Sequence, residues 1–382
     1  MNLTLTEEQQ MIQDMAKKFA ESELAPVAAK LDETGDQQIF QHNLKQLADL
    51  GFMGLNVNGE YGGVEAGAVA FSLAITEIAK ACASTAVTTS VTNMVAEVIQ
   101  AVGNEEQKQK YLPKICSGEY LAGGFCLTEA SAGSDPAGMK TSALKDGDDY
   151  ILNGTKIYIT SGTIAGVFVV WAVTDPEARK GKGISCFLVE AGTPGMTIGK
   201  SEEKMGQKAS PTNEVHFENC RIPASALMGK ENKGFAIAVG ELAGGRIGIG
   251  SLALGVGLAA MDYARDFIKE RKQFGQPLSN FQGLQWMVAD RYTDLEAARL
   301  LLMSAASTKE QGLPFGKAAS MAKLYASEKA NQACYDALQM LGGAGYIKEY
   351  PLERLARDVR ITSIYEGTSE IQRVIIARDL LS

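Results

Sequence analysis

Apolar side chains recur at every third or fourth position through the first 120 residues, which is the spacing of amphipathic α-helices. Thr6 and Gln9 form the capping-box pattern that opens a helix, and Ile12 and Phe19 belong to the apolar stripe that follows. Residues 69–102 are apolar on nearly every side, which predicts helices that are buried all round. This part of the chain therefore predicts a helical N-terminal domain.

Between residues 121 and 232 the pattern changes to short runs of β-branched and aromatic residues. Turn-forming pairs such as Asn-Gly, Asp-Gly and Ser-Gly separate these runs, as they do in all-β domains. The pattern predicts an antiparallel β domain, either a small barrel or a sandwich. Its predicted strands cover residues 150–152, 156–160, 167–173, 184–189 and 215–217.

Beyond residue 233 the helical spacing returns, and its long segments have the lengths of an antiparallel four-helix bundle. The predicted helices cover residues 234–273, 280–311, 314–342 and 368–381. Gly248 and Gly255 each begin a G-x-G-x-x-A match, but no strand precedes either one, so we expect close helix packing and no dinucleotide fold. The fold class is α+β and multidomain, with predicted domains at 1–120, 121–232 and 233–382.

Composition excludes several classes of protein. The net charge of −8 argues against nucleic-acid binding, which requires basic surfaces. The six cysteines are scattered without a CxxC pair, so we expect reduced, buried thiols. With only His42 and His216, a Ser-His-Asp triad or a histidine metal site is not expected. We expect no secretory signal, no membrane span and an intracellular location.

The segment IYEGTSEIQ (364–372) offers a candidate catalytic acid or base. It places Glu366 at a glycine-containing turn just before the last predicted helix, which Thr368 or Ser369 can cap. Such a turn can aim a carboxylate while shielding it from water. By itself, however, a glutamate near a helix start more often faces solvent or stabilises the helix dipole.

Five further segments carry candidate binding chemistry. They are FCLTEASAGSD (125–135), KIYITSG (156–162), ELAGGRIGI (241–249), RKQFG (271–275) and QMLGGAGY (339–346). Their small residues allow a backbone to approach a flat ring system, and an arginine offers a planar fork for a pyrophosphate. Tyr158 and Thr160 are expected on one face of a strand, since side chains repeat every second residue. Each segment alone is equally compatible with an ordinary loop, sheet surface or helix end.

Taken together and in this order, these segments resemble the acyl-CoA dehydrogenase family over essentially the whole chain, and most of all its short- and branched-chain members. The resemblance implies FAD as cofactor, an acyl-CoA substrate and Glu366 as the base that removes the α-proton. It implies FAD contacts at Phe125, Leu127, Thr128, Gly133, Ser134, Tyr158, Ile159, Thr160, Arg271, Phe274, Gln282, Gln339, Gly342, Gly343, Thr368 and Glu370. It implies substrate contacts at Ser134, Gly245, Arg246, Leu252, Thr362 and Gly367.

The resemblance carries further expectations. Arg271, Gln282 and the 339–343 segment would reach the FAD of a neighbouring subunit in a homotetramer, and an electron-transferring flavoprotein would accept the electrons. The location would be the bacterial cytoplasm or the mitochondrial matrix. Tyr158 stands where most members carry Trp, and Ala243 stands where many carry Asp. Some members carry the base at the position of Gly245, so here Glu366 has no competitor.

Two other functions remain open at this point. An acyl-CoA oxidase or flavin monooxygenase on the same scaffold would use oxygen in place of a protein acceptor. A nonenzymatic relative, such as a nucleic-acid-associated scaffold, could keep a flavin site without turnover. The acidic composition and the presence of Glu366 favour the dehydrogenase.

Overall fold

The computed structural model of the chain describes residues 4–382, apart from the side chain of Glu241. Residues 1–3 of the N-terminal segment and the Glu241 side chain of the 241–249 segment thus lie outside the described residues. The first third is helical and comprises α1 Glu7–Phe19, α2 Ala28–Thr34, α3 Gln37–Asp49, α4 Gly67–Ala81, α5 Ala83–Val102 and α6 Glu105–Cys116. Helix α1 continues directly into a π-helical turn, Ala20–Leu24.

The predicted helix start at Thr6 is confirmed. The Gln9 backbone N–H donates to Thr6 Oγ1 at 3.2 Å, and the Thr6 N–H donates to Gln9 Oε1 at 3.0 Å. Helices α4 and α5 are buried nearly throughout, as their apolar pattern predicts, because α7 packs against both. Among the buried hydroxyls of α5, Thr89 Oγ1 donates to the carbonyl of Thr85 at 2.9 Å, whereas Thr88 Oγ1 bonds outside the helix, 2.9 Å from Ser210 Oγ.

The middle of the chain forms one sheet of β1 Ala122–Cys126, β2 Ser142–Asp146, β3 Asp149–Thr160, β4 Ala165–Val173, β5 Ile184–Glu190, β6 Met196–Ser201, β7 Thr212–Pro223 and β8 Leu227–Met228. Their order is β6-β7-β3-β2-β4-β5-β8, with β1 paired to β4. The prediction of a purely antiparallel domain is wrong, because β1 runs parallel to β4. Two strands separate β1 from β4 in sequence, so no tight turn forces them to run antiparallel.

Strand β3 also differs from its prediction. Residues 150–152 and 156–160 belong to one long strand, whose register against β7 shifts between Lys156 and Ile159. Tyr158 lies in that shift with a left-handed φ of +57°. Such a bulge interrupts the strict alternation of side chains between the two faces of the sheet. Tyr158 is 66% exposed while the adjacent Ile159 is buried, so simple alternation does not decide the face of Thr160.

The last part of the chain is again helical. It comprises α7 Gly234–Glu270, the small hairpin β9 Lys272–Gln273 and β10 Gln276–Pro277, α8 Gln282–Glu310, α9 Gly316–Leu341, α10 Gly343–Tyr346, α11 Leu352–Arg360 and α12 Ser369–Leu381. The helix predicted for residues 234–273 ends three residues earlier, at Glu270, because Arg271 adopts an extended backbone and leads into the hairpin. Helix α11 was not predicted. Helix α9 contacts α7, α8, α11 and α12 and forms the centre of the bundle.

The glycines of α7 serve close helix packing, as predicted. A Cβ at Gly255 would lie 2.3 Å from the carbonyl oxygen of Thr76 in α4, and one at Gly257 would lie 3.1 Å from Ala330 in α9. By length and hydropathy, α7 is the one helix among the described residues that could cross a bilayer. Its apolar window is 78% buried in the fold, as in a core helix.

The contact between α7 and α4 predicts the effect of a single methyl group. Gly255→Ala should lower the free energy of unfolding by about 1–3 kcal/mol, because the new Cβ overlaps the Thr76 carbonyl. Gly240→Ala is the matched control in the same helix, since its Cβ meets no atom within 4 Å and the change gains up to about 1 kcal/mol of helix propensity. Urea denaturation followed by circular dichroism measures both. Equal midpoints for the two variants would contradict the tight contact.

Candidate functional site

Glu366 lies in a sharp turn between α11 and α12. Glu366 has φ +53° and Gly367 has φ +88°, so two successive residues are left-handed. This conformation is strained for a glutamate and persists only where the surroundings hold it. Gln372 Nε2 donates to the carbonyl oxygens of Glu366 at 3.0 Å and Gly367 at 2.9 Å. Thr368 then caps α12 by accepting the Ile371 N–H at 3.3 Å, which settles the choice between Thr368 and Ser369.

The carboxylate of Glu366 points into the protein. Its Oε2 atom is buried and has no hydrogen-bond partner among the residues that the structure describes. A Cβ at Gly245 on α7 would lie 2.9 Å from this oxygen and 2.8 Å from Sδ of Met94 on α5. Gly245 therefore supplies the space that the carboxylate occupies. The structure brings together Glu366, Gly245 and Gly367 from two segments that lie far apart in sequence.

Two buried cations face this carboxylate. Arg246 is 6% exposed, and its Nη1 donates to Ser320 Oγ at 3.4 Å. Its buried Nε has no hydrogen-bond partner within the described part of the chain. Lys323 on α9 is fully buried, and its Nζ donates to the Gly367 carbonyl at 2.8 Å. Burial raises the pKa of Glu366, while the charges of Arg246 and Lys323 oppose that rise without cancelling it. Burial also lowers the pKa of Lys323 to about 8.

Leu252 and Thr362, the expected limits of an acyl pocket, are both fully buried. Leu252 belongs to the main helical core, on the same helix as Gly245. The Thr362 hydroxyl donates to the Val359 carbonyl at 2.7 Å, so it adds no free donor to the site.

Two predicted cofactor segments are joined directly. The Ile157 N–H in the bulged strand donates to the Thr128 carbonyl at 2.9 Å. Phe125 packs on Trp171 with ring centroids 4.4 Å apart, and Leu127 is buried in the core below. The end of β1 and the bulge of β3 therefore form one surface, from which Tyr158 projects.

A buried ion pair fixes this junction. Lys156 is fully buried and Glu129 is 6% exposed, and Lys156 Nζ lies 2.8 Å from Glu129 Oε1. The same ammonium donates to the Leu127 carbonyl at 3.1 Å, and the Glu129 carboxylate accepts the N–H groups of Lys140 and Thr141. Burial works to raise the pKa of Glu129, but Lys156 and these donors outweigh it and hold that pKa below its usual value.

The remaining predicted cofactor positions lie mainly at the surface. Tyr158 and Phe274 are 66% and 92% exposed, respectively. Ile159 is buried, and Phe125, Thr128, Thr160 and Thr368 are half-buried. The exposed positions also include Gly133, Ser134, Arg271, Gln282, Gln339, Gly342, Gly343 and Glu370. Among the described residues Arg271 forms no ion pair, and no group of three His, Cys, Asp or Glu side chains could hold a metal.

Four residues of this site were not predicted from the sequence, namely Lys323, Gln372, Lys156 and Glu129. A signal was available for Lys323, which shares the buried face of α9 with a series of alanines at helical spacing, Ala319, Ala322, Ala326 and Ala330. A lone lysine among buried alanines indicates a paired or functional cation. Lys156 carried no comparable signal, because the bulge in β3 hides which face it occupies.

Comparison with known families agrees with this geometry. Models of the acyl-CoA dehydrogenase N-terminal, middle and C-terminal domains match residues 6–119, 124–220 and 232–381 in succession. The chain therefore belongs to the acyl-CoA dehydrogenase family and is an oxidoreductase that acts on a CH–CH group.

Its relatives cover the full length. A protein of Clostridium acetobutylicum named acyl-CoA dehydrogenase, short-chain specific, is 45% identical over 378 residues, which is 99% of each chain. Acryloyl-CoA reductase (NADH) of Anaerotignum propionicum is 46% identical and covers 100% of this chain and 96% of its own. A chain in the solved structure of an electron transferring flavoprotein of Acidaminococcus fermentans is 44% identical, with TM-score 0.97 and complete coverage of both chains.

The buried ion pair predicts a large and specific loss of stability. Lys156→Met should lower the free energy of unfolding by about 3–5 kcal/mol, because Glu129 stays buried without its cation. Lys180→Met removes the cation from the exposed pair with Asp135 and should cost about 0–1 kcal/mol. Chemical denaturation compares the two variants. Similar losses of stability in the two variants would show that burial does not determine how much the Lys156–Glu129 pair contributes.

Proposed function

We propose that this protein dehydrogenates a short-chain or branched acyl-CoA across Cα–Cβ to the trans-2-enoyl-CoA, with Glu366 as the general base. The observation that carries the proposal is the buried, unpartnered Oε2 of Glu366, held above Gly245 between two buried cations. A buried carboxylate oxygen without a partner is costly and suits a reacting group better than a structural one.

Burial makes this carboxylate better suited to its proposed task. A solvent-exposed glutamate, with a pKa of about 4.3, is a weak base toward a carbon acid. The raised pKa of Glu366 brings its basicity closer to neutrality, where proton abstraction is more favourable. The charges of Arg246 and Lys323 oppose this rise in the pKa and favour the ionised carboxylate.

The α-proton becomes acidic only if charge on the thioester oxygen is stabilised as it develops. We propose that the backbone N–H of Glu366 donates to this oxygen, together with a hydroxyl of the cofactor. Gly367 has no side chain to obstruct the thioester, and Arg246 can offer its unpartnered Nε to the bound substrate. Ser134 and Gly245 would contact the acyl-CoA beside it.

The residues present fit FAD. Tyr158 offers an exposed aromatic ring and Phe125 a half-buried one, and aromatic rings suit contact with a flat ring system. Arg271 is an exposed cation without an ion-pair partner among the described residues, as an anionic pyrophosphate requires. A Cβ at Gly133 or Gly343 would meet nothing within 4 Å, so both backbones are open to an outside group. When bound, FAD supplies the hydride acceptor that the protein side chains lack.

The positions around Arg271, Gln282 and Gly342 suit contact with a second subunit. They lie on the surface, and Phe274 among them is 92% exposed, which is unusual for a phenylalanine in an isolated chain. We propose that they complete the FAD site of a neighbouring subunit in a homotetramer. The solved flavoprotein structure supports an electron-transferring flavoprotein as acceptor. We further propose a cytoplasmic or mitochondrial location and a role in fatty-acid or branched-chain amino-acid breakdown.

A second candidate is the reverse reaction, which the NADH-dependent acryloyl-CoA reductase favours. An oxidase or monooxygenase is the third. Three assays of the purified protein separate them: acyl-CoA oxidation with an artificial one-electron acceptor without oxygen, the same oxidation under air, and enoyl-CoA reduction with NADH. Turnover confined to the first assay supports the dehydrogenase. Faster turnover under air supports an oxidase.

Replacing the base tests the proposal directly. Glu366→Gln should slow acyl-CoA-dependent bleaching of the bound flavin by about 10²- to 10⁴-fold, because an amide cannot accept the α-proton. Anaerobic stopped-flow absorbance measures this rate. Asp379→Asn is the matched control, since it makes the same carboxyl-to-amide change at an exposed position in α12. Wild-type bleaching in the Glu366 variant would refute its role.

The acyl-chain preference offers a separate test. We propose that Leu252 limits the depth of the acyl pocket, with Thr362 opposite. Leu252→Ala should then move the optimum in a panel of straight-chain acyl-CoAs toward longer chains, because it removes a fully buried side chain from α7. If a variant that retains its flavin shows an unchanged order of kcat/KM across the panel, Leu252 does not limit the depth of the acyl pocket.

A further inference from the structure

We propose that Lys323 is a positioning residue for Glu366: its ammonium fixes the turn that carries the base and supplies a positive charge that favours the ionised carboxylate. The inference rests on the proposed role of Glu366 as base, and it assigns a task to the Lys323–Gly367 hydrogen bond, which that reaction scheme does not use. It stands on the contacts of α9 with the turn.

Helix α9 touches the residues of the proposed active site at three points. Ser320 Oγ accepts a hydrogen bond from Arg246, Lys323 Nζ donates to the Gly367 carbonyl, and the Glu328 carboxylate accepts one from Ser369. Ser320 and Lys323 are three residues apart and share one side of the helix, and Glu328 lies further along it. Helix α9 therefore holds both the base-bearing turn and the arginine beside it.

Lys323 holds the turn from a fixed position. Its side chain is fully buried, and its Cα would lie 3.4 Å from a Cβ at Gly250, so α7 packs directly against it. The Gly367 carbonyl accepts from Lys323 Nζ at 2.8 Å and from Gln372 Nε2 at 2.9 Å. Two donors on one carbonyl restrain the peptide next to Glu366, whose left-handed backbone needs such support.

The charges around the pair set the expected pH response. Glu366 faces Arg246 on α7 and Lys323 on α9, while Lys323 also faces Glu328 on α9 and Glu370 on α12. The buried phenol of Tyr365 is next to Glu366 in the chain. Arg246 and Lys323 both oppose the burial that raises the Glu366 pKa. Loss of the Lys323 charge should therefore raise that pKa further and leave less carboxylate ionised at low pH.

Gln372 provides the matched control. It donates to the same Gly367 carbonyl and is equally buried, but it is neutral. Lys323→Met removes one hydrogen bond from the turn together with a charge, whereas Gln372→Met removes two hydrogen bonds, to the Glu366 and Gly367 carbonyls, and no charge. A purely structural role for Lys323 predicts the same pH profile in both variants.

The experiment measures kcat/KM for a short acyl-CoA from about pH 5.5 to about pH 9 in FAD-loaded wild type, Lys323→Met, Lys323→Gln and Gln372→Met. We expect the acid limb of both lysine variants to move upward by about one pH unit, a tenfold loss at low pH that shrinks at high pH. Gln372→Met should lose activity by one constant factor across the range. Lys323→Gln keeps a donor for Gly367 and carries the test if Lys323→Met does not fold.

The rate of α-proton exchange between substrate and deuterated solvent gives a second readout, which does not depend on the electron acceptor. It should show the same displaced acid limb in the lysine variants. If the acid limbs of the two lysine variants superimpose on that of the wild type after scaling, the proposed role of Lys323 is overturned. The role of Glu366 as base is then unaffected. Normal activity in Glu366→Gln would instead overturn the proposed function, so the two failures are distinguishable.

Discussion

The site depends on the burial of one carboxylate. Removing an ionised group from water is costly unless charges and hydrogen bonds replace the lost solvation. Around Glu366 the compensation comes from Arg246 and Lys323, while Oε2 itself keeps no hydrogen-bond partner. The result is a carboxylate whose pKa is raised by burial, with the two cations opposing that rise. Each of the three residues comes from a different part of the helical bundle.

That burial requires close packing of helices. Gly245 leaves the volume that the carboxylate fills, and Gly255 and Gly257 let α4 and α9 approach α7 closely. Helix α9 lies at the centre of the bundle and contributes the lysine. The small residues of α7 and α9 therefore serve both the stability of the core and the geometry of the site.

The β domain uses the same principle for a different purpose. Lys156 and Glu129 form a buried ion pair, which ties the 125–135 segment to the bulged strand β3. The pair satisfies backbone carbonyl and N–H groups that a loop would otherwise leave unpaired. It fixes the surface from which Tyr158 projects, and so it shapes the proposed flavin site without being part of its exposed face.

The sequence alone determined the helical, β and helical order, the capped start at Thr6, and Glu366 as the candidate base, because these depend on local periodicity and motifs. Only the tertiary structure revealed the parallel pairing of β1 with β4, the bulge at Tyr158 and the buried cations Lys156 and Lys323. The reason is physical: strand direction, bulges and the environment of a charge depend on which distant segments pack together, and residue spacing does not encode that packing.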